Sequence, residues 1–94
     1  MRLLLVEDEI RVARFISQGL REHHYVVDVA NDGEEASELA YAEEYDLIIV
    51  DLMIPKKKNG LRLIKELRLN GENVPILILS AKDSVVDKVG GDLI

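Results

Sequence analysis

The chain contains no cysteine, so disulfides and thiol chemistry are excluded, and a cytoplasmic location is the expectation. It has no excess of positive charge either. Lys and Arg number 12 against 18 Asp and Glu, a net charge of -6, which argues against the basic patch that nucleic-acid surfaces carry. This chain is therefore expected to bind no nucleic acid directly. Nor is there an apolar stretch long enough for a membrane: Leu3 to Val6 is far too short for a span or a signal-peptide core, and it runs straight into acids. Internal repeats, low-complexity tracts and linkers are also missing. Leu47 to Asp51 has the look of a Walker B strand, but no G-x-x-x-x-G-K-[ST] loop accompanies it, which sets a P-loop NTPase aside.

What remains is a single domain of 94 residues, 48% hydrophobic, enough for a folded core but short of the commonest domain size. Two features stand out. The apolar run Leu3 to Val6 ends in Glu7 and Asp8, and the run Leu47, Ile48, Ile49, Val50 ends in Asp51. Apolar runs without alternation read as strands buried on both faces, the pattern of parallel sheets in α/β proteins. Ligand sites in such sheets lie beyond the carboxyl ends of the strands, where strand order reverses. If the two strands are neighbours, Glu7, Asp8 and Asp51 converge there. Crowded carboxylates raise one another's pKa unless a cation neutralises them, and a hard, oxygen-lined site with few protein ligands suits Mg²⁺. The chemistry suggested is phosphoryl transfer.

The rest of the chain alternates helix and strand. Ile10 to about Glu22 predicts a helix with Val12, Ala13, Ile16 and Leu20 on one stripe, weakened at Gly19. Val26 to Ala30 predicts a strand that Asp28 interrupts, which suits a sheet edge. Asn31-Asp32-Gly33 is a turn, and Asp32 with Glu35 starts a helix whose inner face is Ala36, Leu39 and Ala40. Asp46 opens the next strand. Pro55 to Asn59 is a loop with Asn59 as a helix cap, and Gly60 to about Leu69 is a helix packing through Leu63, Ile64 and Leu67. Asn70 and Gly71 stop it. Pro75 leads into a strand, Ile76 to Leu79, with Ser80 at its carboxyl end. The result is a β-α-β-α-β-α-β chain with right-handed crossovers.

Four blocks carry a resemblance: Leu4-Leu5-Val6-Glu7-Asp8-Glu9, Asn31-Asp32-Gly33-Glu34-Glu35-Ala36, Asp46 to Pro55, and Pro75-Ile76-Leu77-Ile78-Leu79-Ser80-Ala81-Lys82. Met1 to about Val89 resembles the receiver domain of two-component response regulators, most similar to the OmpR/PhoB type, which is normally followed by a winged-helix DNA-binding domain. The resemblance implies a flavodoxin-like, three-layer α/β/α fold with strand order 2-1-3-4-5. It implies that Asp51 accepts a phosphoryl group from a sensor histidine kinase, with Mg²⁺ held by Asp8 directly, by Glu7 directly or through water, by Asp51, and by the Met53 backbone carbonyl. Ser80 matches the family's switch hydroxyl, which hydrogen-bonds the phosphoryl oxygen and draws the following loop inward. Such a protein is not a conventional enzyme; if intact, it catalyses its own Mg²⁺-dependent phosphorylation and dephosphorylation and switches a downstream output, transcription.

The plainer readings are that Asp51 caps a turn, that Glu7 and Asp8 favour a helix N-terminus, and that Ser80 is a turn residue. Lys56, Lys57 and Lys58 read as a solvated loop, or as a feature that steers an anionic donor. His23 and His24 read as surface residues at a helix end, without the spacing of a metal site.

The pattern departs from the family twice. Pro55 and Gly60 enclose four residues where three are usual, and the chain ends Val89-Gly90-Gly91-Asp92-Leu93-Ile94 where the family continues through strand 5, its lysine and aromatic, and helix 5. Lys82 does not substitute for that lysine, because it belongs to the loop after strand 4. The 1–94 receiver domain is thus expected to be C-terminally incomplete. Strand 4 then becomes an exposed edge and Val12, Ala13 and Ile16 lack a full neighbour, which invites a homodimer or a domain-swapped partner. Besides the phosphoacceptor reading, the alternatives are a phosphorylation-independent pseudo-receiver and a haloacid-dehalogenase-like phosphatase. The latter class resembles Asp-x-Asp, whereas this chain has Asp51-Leu52-Met53.

Overall fold

A computed structural model describes residues 1–54 and 58–80, with Ser80 described in its main chain. Four parallel strands, β1 (Arg2–Val6), β2 (Val26–Ala30), β3 (Leu47–Asp51) and β4 (Ile76–Ser80), form one sheet in the order β2-β1-β3-β4. Three helices, α1 (Ile10–Glu22), α2 (Gly33–Ala42) and α3 (Gly60–Leu69), connect them. The residues expected to carry or replace a fifth strand, and Lys82, lie outside the described residues, as do Pro55, Lys56 and Lys57.

The unbroken apolar runs form the centre of the sheet because both of their faces are covered. Leu4 and Val6 of β1 point with Ile48 and Val50 of β3 into a core closed by Ala36 and Ala40 of α2 and Leu63 and Leu67 of α3. Leu3, Leu5, Val27 and Ile49 point the other way, onto Ala13 of α1. Alternation along each strand thus serves two cores, giving the three-layer α/β/α architecture. β2 is the edge that Asp28 indicated. Its carboxylate stays accessible enough to accept from Arg2 Nη2 at 2.9 Å and Tyr45 Oη at 2.7 Å. β4 is the outer strand on the other side among the described residues, and Leu77, Ile78 and Leu79 are exposed there.

Local chemistry sets the helix ends. Asp32 caps α2 by accepting from the Glu35 amide at 2.8 Å, while the Glu35 carboxylate reaches back to the Asn31 amide at 2.9 Å, a reciprocal arrangement of the capping-box kind. Asn59 caps α3 through the Arg62 amide at 2.9 Å. Asn70 is its C-cap and Gly71 follows with φ 83°, a conformation glycine reaches without strain. The first residue of α3 also has to be small. A Cβ on Gly60 would lie 2.6 Å from the Asp51 carbonyl oxygen and 2.8 Å from Leu52 Cα, so the helix start is pressed against the end of β3.

Three expectations need correction. Val12 is exposed, whereas Ser17 is buried in its stead; the Ser17 hydroxyl donates to the Arg14 carbonyl at 3.2 Å, so it enters the interface with its polar group satisfied by its own helix. Asp46 flanks β3 instead of opening it, its side chain accepting from the Arg2 amide at 2.7 Å. Lys58 is no solvated loop residue: its ammonium pairs with Glu66 at 2.6 Å and donates to Ser37 Oγ at 3.0 Å.

Candidate functional site

Because β1 and β3 are adjacent and in register, Val6 opposite Val50, the acids that follow them meet. Carboxylate oxygens of Glu7, Asp8 and Asp51 all lie within 4.8 Å of one another. Glu7 is 3% and Asp51 7% exposed, and Asp8 is half-buried. None of the ion pairs among the described residues involves any of the three.

Among the described residues, two backbone amides donate to these acids. Glu7 accepts a hydrogen bond from the Glu9 amide at 3.0 Å, and Asp51 one from the Met53 amide at 2.9 Å. The Glu9 bond lowers the Glu7 pKa, but burial outweighs it and the Asp51 charge adds to the rise, so Glu7 is pushed up to about 7.

Neighbouring loops hold the acids in place. The Glu7 amide donates to the Ala30 carbonyl at 3.0 Å, and Asn31 Nδ2 donates to the Glu7 carbonyl at 3.2 Å. The turn after β2 therefore fixes the end of β1. On the far side the β3–β4 ladder shifts register between Val50 and Asp51, pairing Asp51 with Ser80. That places the Ser80 main chain beside Asp51; its hydroxyl lies outside the described residues. The Met53 side chain is exposed. His23 and His24 are exposed at the end of α1, away from these acids, with His24 at φ 70° where the chain reverses.

The donor set is entirely carboxylate oxygen, with no His or Cys among the clustered ligands. Such hard donors, close together and uncompensated, fit Mg²⁺, which binds through a few carboxylates and keeps several waters. Sequence reasoning found these acids but missed the groups that anchor the loops around them, above all Asn31, Ser37 and Lys58. Polar residues in turns give no periodic signal, and only the folded contacts reveal their partners.

A parallel sheet in this order with an acidic cluster beyond β1 and β3 defines a receiver-type domain. The family model described as "Response regulator receiver domain" matches residues 3–91, and the chain belongs to that family. It is 44% identical over 90 residues to the transcriptional regulatory protein PcoR of Escherichia coli, and 43% identical over 90 residues to the response regulator ArlR of Staphylococcus saprophyticus. Those matches cover 96% of this chain in each case, but only 39% of PcoR and 40% of ArlR. The chain thus spans about two fifths of the length of these curated relatives, which are response regulators of the OmpR/PhoB type. Among solved structures, the receiver domain of the Francisella response regulator 1452 is similar, with a TM-score of 0.84, 38% identity, and 96% of this chain and 74% of that one covered. The chemotaxis response regulator CheY4 of Vibrio cholerae has a TM-score of 0.82 and 31% identity, with 98% of this chain and 78% of that one covered.

Proposed function

We propose that this receiver domain is a phosphoacceptor module that takes a phosphoryl group from a sensor histidine kinase onto Asp51 and switches a transcriptional output. The observation that carries the reading is the convergence of Glu7, Asp8 and Asp51 beyond adjacent strands. Asp8 and Asp51 would hold Mg²⁺ directly, Glu7 directly or through water, and the Met53 carbonyl would complete the protein ligands. Mg²⁺ bound there supplies charge neutralisation while an anion attacks an anionic phosphoryl group.

The chain's own contribution is placement. Asp51 is held at a strand end by its ladder to β4 and by the Met53 amide on Oδ1. A carboxylate oxygen of Asp51 attacks phosphorus, forming an O–P bond as the P–N bond of the phosphohistidine donor breaks and the imidazole nitrogen retains the electron pair. Transfer of this kind depends on positioning and electrostatics more than on covalent assistance. Ser80, adjacent in the ladder, would then offer its hydroxyl to the new phosphoryl oxygen and draw its loop toward the site. The domain 1–94 serves as the switch, and its likeness to the transcriptional regulatory protein PcoR supports transcription as the output.

The test is intact mass after incubation with Mg²⁺ and a small-molecule phosphodonor. The wild type should gain one phosphoryl mass and Asp51→Asn none. Equal labelling of both would reject Asp51. Labelling of neither would favour a pseudo-receiver that works through binding alone.

A further inference from the structure

Ile54 follows β3 and Lys58 precedes α3, and both are anchored. On the near side, Ile54 is buried in the core between the sheet and α2 and α3. On the far side, Lys58 is fixed by charge. Its ammonium meets Glu66 Oε1 of α3 at 2.6 Å and Ser37 Oγ of α2 at 3.0 Å, and the Ser37 hydroxyl in turn donates a hydrogen bond to the Gly33 carbonyl at 3.0 Å. The second Glu66 oxygen accepts from Tyr41 at 2.9 Å, and Tyr41 in turn accepts from Asn70 at 2.9 Å. These bonds link Lys58, Ser37, Glu66, Tyr41 and Asn70 in one network. The main chain is equally close, since a Cβ on Gly33 would collide with the Lys58 carbonyl.

An exposed loop lysine ordinarily keeps its rotamer freedom, and freezing so long a side chain costs entropy. Lys58 is frozen by partners on two helices, with both members of its ion pair less than a third exposed. The residues next to it lead directly to the acids: Asn59 caps α3, and Gly60 rests on the Asp51 carbonyl. In the other direction Lys58 abuts Gly33, two residues after Asn31, which holds the Glu7 carbonyl.

We propose that Lys58, clamped by Glu66 and Ser37, is a positioning residue that fixes the start of α3 against the end of β3 and so holds the acid cluster in its metal-binding and phosphoryl-accepting geometry. The metal part of this inference rests on the function proposed above. The clamp touches neither metal nor phosphoryl group. Its stabilising contribution as a partly exposed pair is small, whereas small misplacements at a reacting centre cost rate steeply. Its signature is therefore a local change at the site without a matching change in global stability.

The experiment compares wild type with Lys58→Met, Glu66→Gln and the conservative Lys58→Arg, using Mg²⁺ alone as the probe. Amide exchange at Met53, whose N–H lies on Asp51 Oδ1, reads the end of β3 without any metal. In Lys58→Met and Glu66→Gln, Met53 exchange should speed by about tenfold, and Mg²⁺ affinity should fall by about three- to tenfold, with the melting temperature nearly unchanged. Lys58→Arg, which keeps the charge and a donor, should retain most of both. Met53 exchange within twofold of wild type in Lys58→Met would overturn the clamp, as would a loss in Lys58→Arg as large as that in Lys58→Met. If wild type fails to bind Mg²⁺ while Lys58→Met still frees Met53, the clamp stands and the metal reading falls.

Discussion

The two ends of the sheet handle charge in opposite ways. Toward the N-terminal ends of the strands, Arg2 binds Asp28 at 2.9 Å and Glu43 at 3.2 Å, Tyr45 donates to Asp28 at 2.7 Å, and the Arg2 guanidinium lies 5.7 Å from the Tyr45 ring centre. The Tyr45 hydroxyl and the Arg2 guanidinium hold Asp28 below the usual carboxylate range. Beyond the carboxyl ends, Glu7, Asp8 and Asp51 crowd together without a cation among the described residues, and Glu7 is pushed up to about 7. The first cluster is complete as it stands and joins β1, β2 and the approach to β3. The second has no such partner among the described residues. Acids that cost stability in the free protein fit a site retained for binding and chemistry.

Breaking the completed cluster should have the larger effect on stability. Asp28→Ala leaves Tyr45 without its acceptor and Arg2 without its closest carboxylate, and should cost about 1–2 kcal/mol, since the groups are only partly buried. A loss of that size lowers the melting temperature of a domain this small by about 4–8 °C per kcal/mol, read by thermal unfolding. Mg²⁺ affinity should not follow. A parallel drop in Mg²⁺ binding would show that the two ends are not independent.

Acid and base should act on the two ends with opposite sign in metal-free protein. Asp28 has a lowered pKa when folded; its contribution is present above its ordinary value near 3.8 and lost as pH falls through the folded value. Glu7 has a raised pKa. Its contribution is full below about 4.5 and disappears as pH rises through about 7. Urea unfolding across this range, in chelator, should show a stability loss toward pH 8 that Glu7→Gln removes, while Asp28→Asn flattens the acid limb.

The smallest expected change is a gain. Asp51→Asn removes one of the mutually repelling charges while keeping shape, and should raise metal-free stability by about 0.5–1 kcal/mol, because each lost repulsion is partly screened. Equilibrium unfolding in chelator measures it. Destabilisation instead would make Asp51 a structural acid like Asp28.

Most of this organisation was legible because it follows from elementary constraints. Leu3 to Val6 and Leu47 to Val50 had to be central strands, since an unbroken apolar run needs cover on both faces, and the helices on either side supply it. Asp32, Asn59 and the pair Asn70-Gly71 marked helix ends by their backbone chemistry. Asp28 announced an edge. Legibility failed where a residue's partner is distant in sequence and carries no period. Tyr45 was silent until the fold placed it against Asp28. Val12 and Ser17 exchanged roles because the stripe on α1 is rotated from the apolar pattern, and serine can satisfy itself on its own helix. The triple-lysine loop read as solvent-facing by composition, but Lys58 is held by residues 8 and 21 positions away.

The acids beyond β1 and β3 form the proposed metal site, and those around Asp28 do not. A Mg²⁺ titration by calorimetry on wild type, Asp8→Ala, Glu7→Ala and Asp28→Ala tests this assignment directly. Mg²⁺ affinity should fall by at least about tenfold in Asp8→Ala, by less in Glu7→Ala, and not at all in Asp28→Ala. Affinity unchanged in Asp8→Ala, or reduced equally by Asp28→Ala, would contradict it.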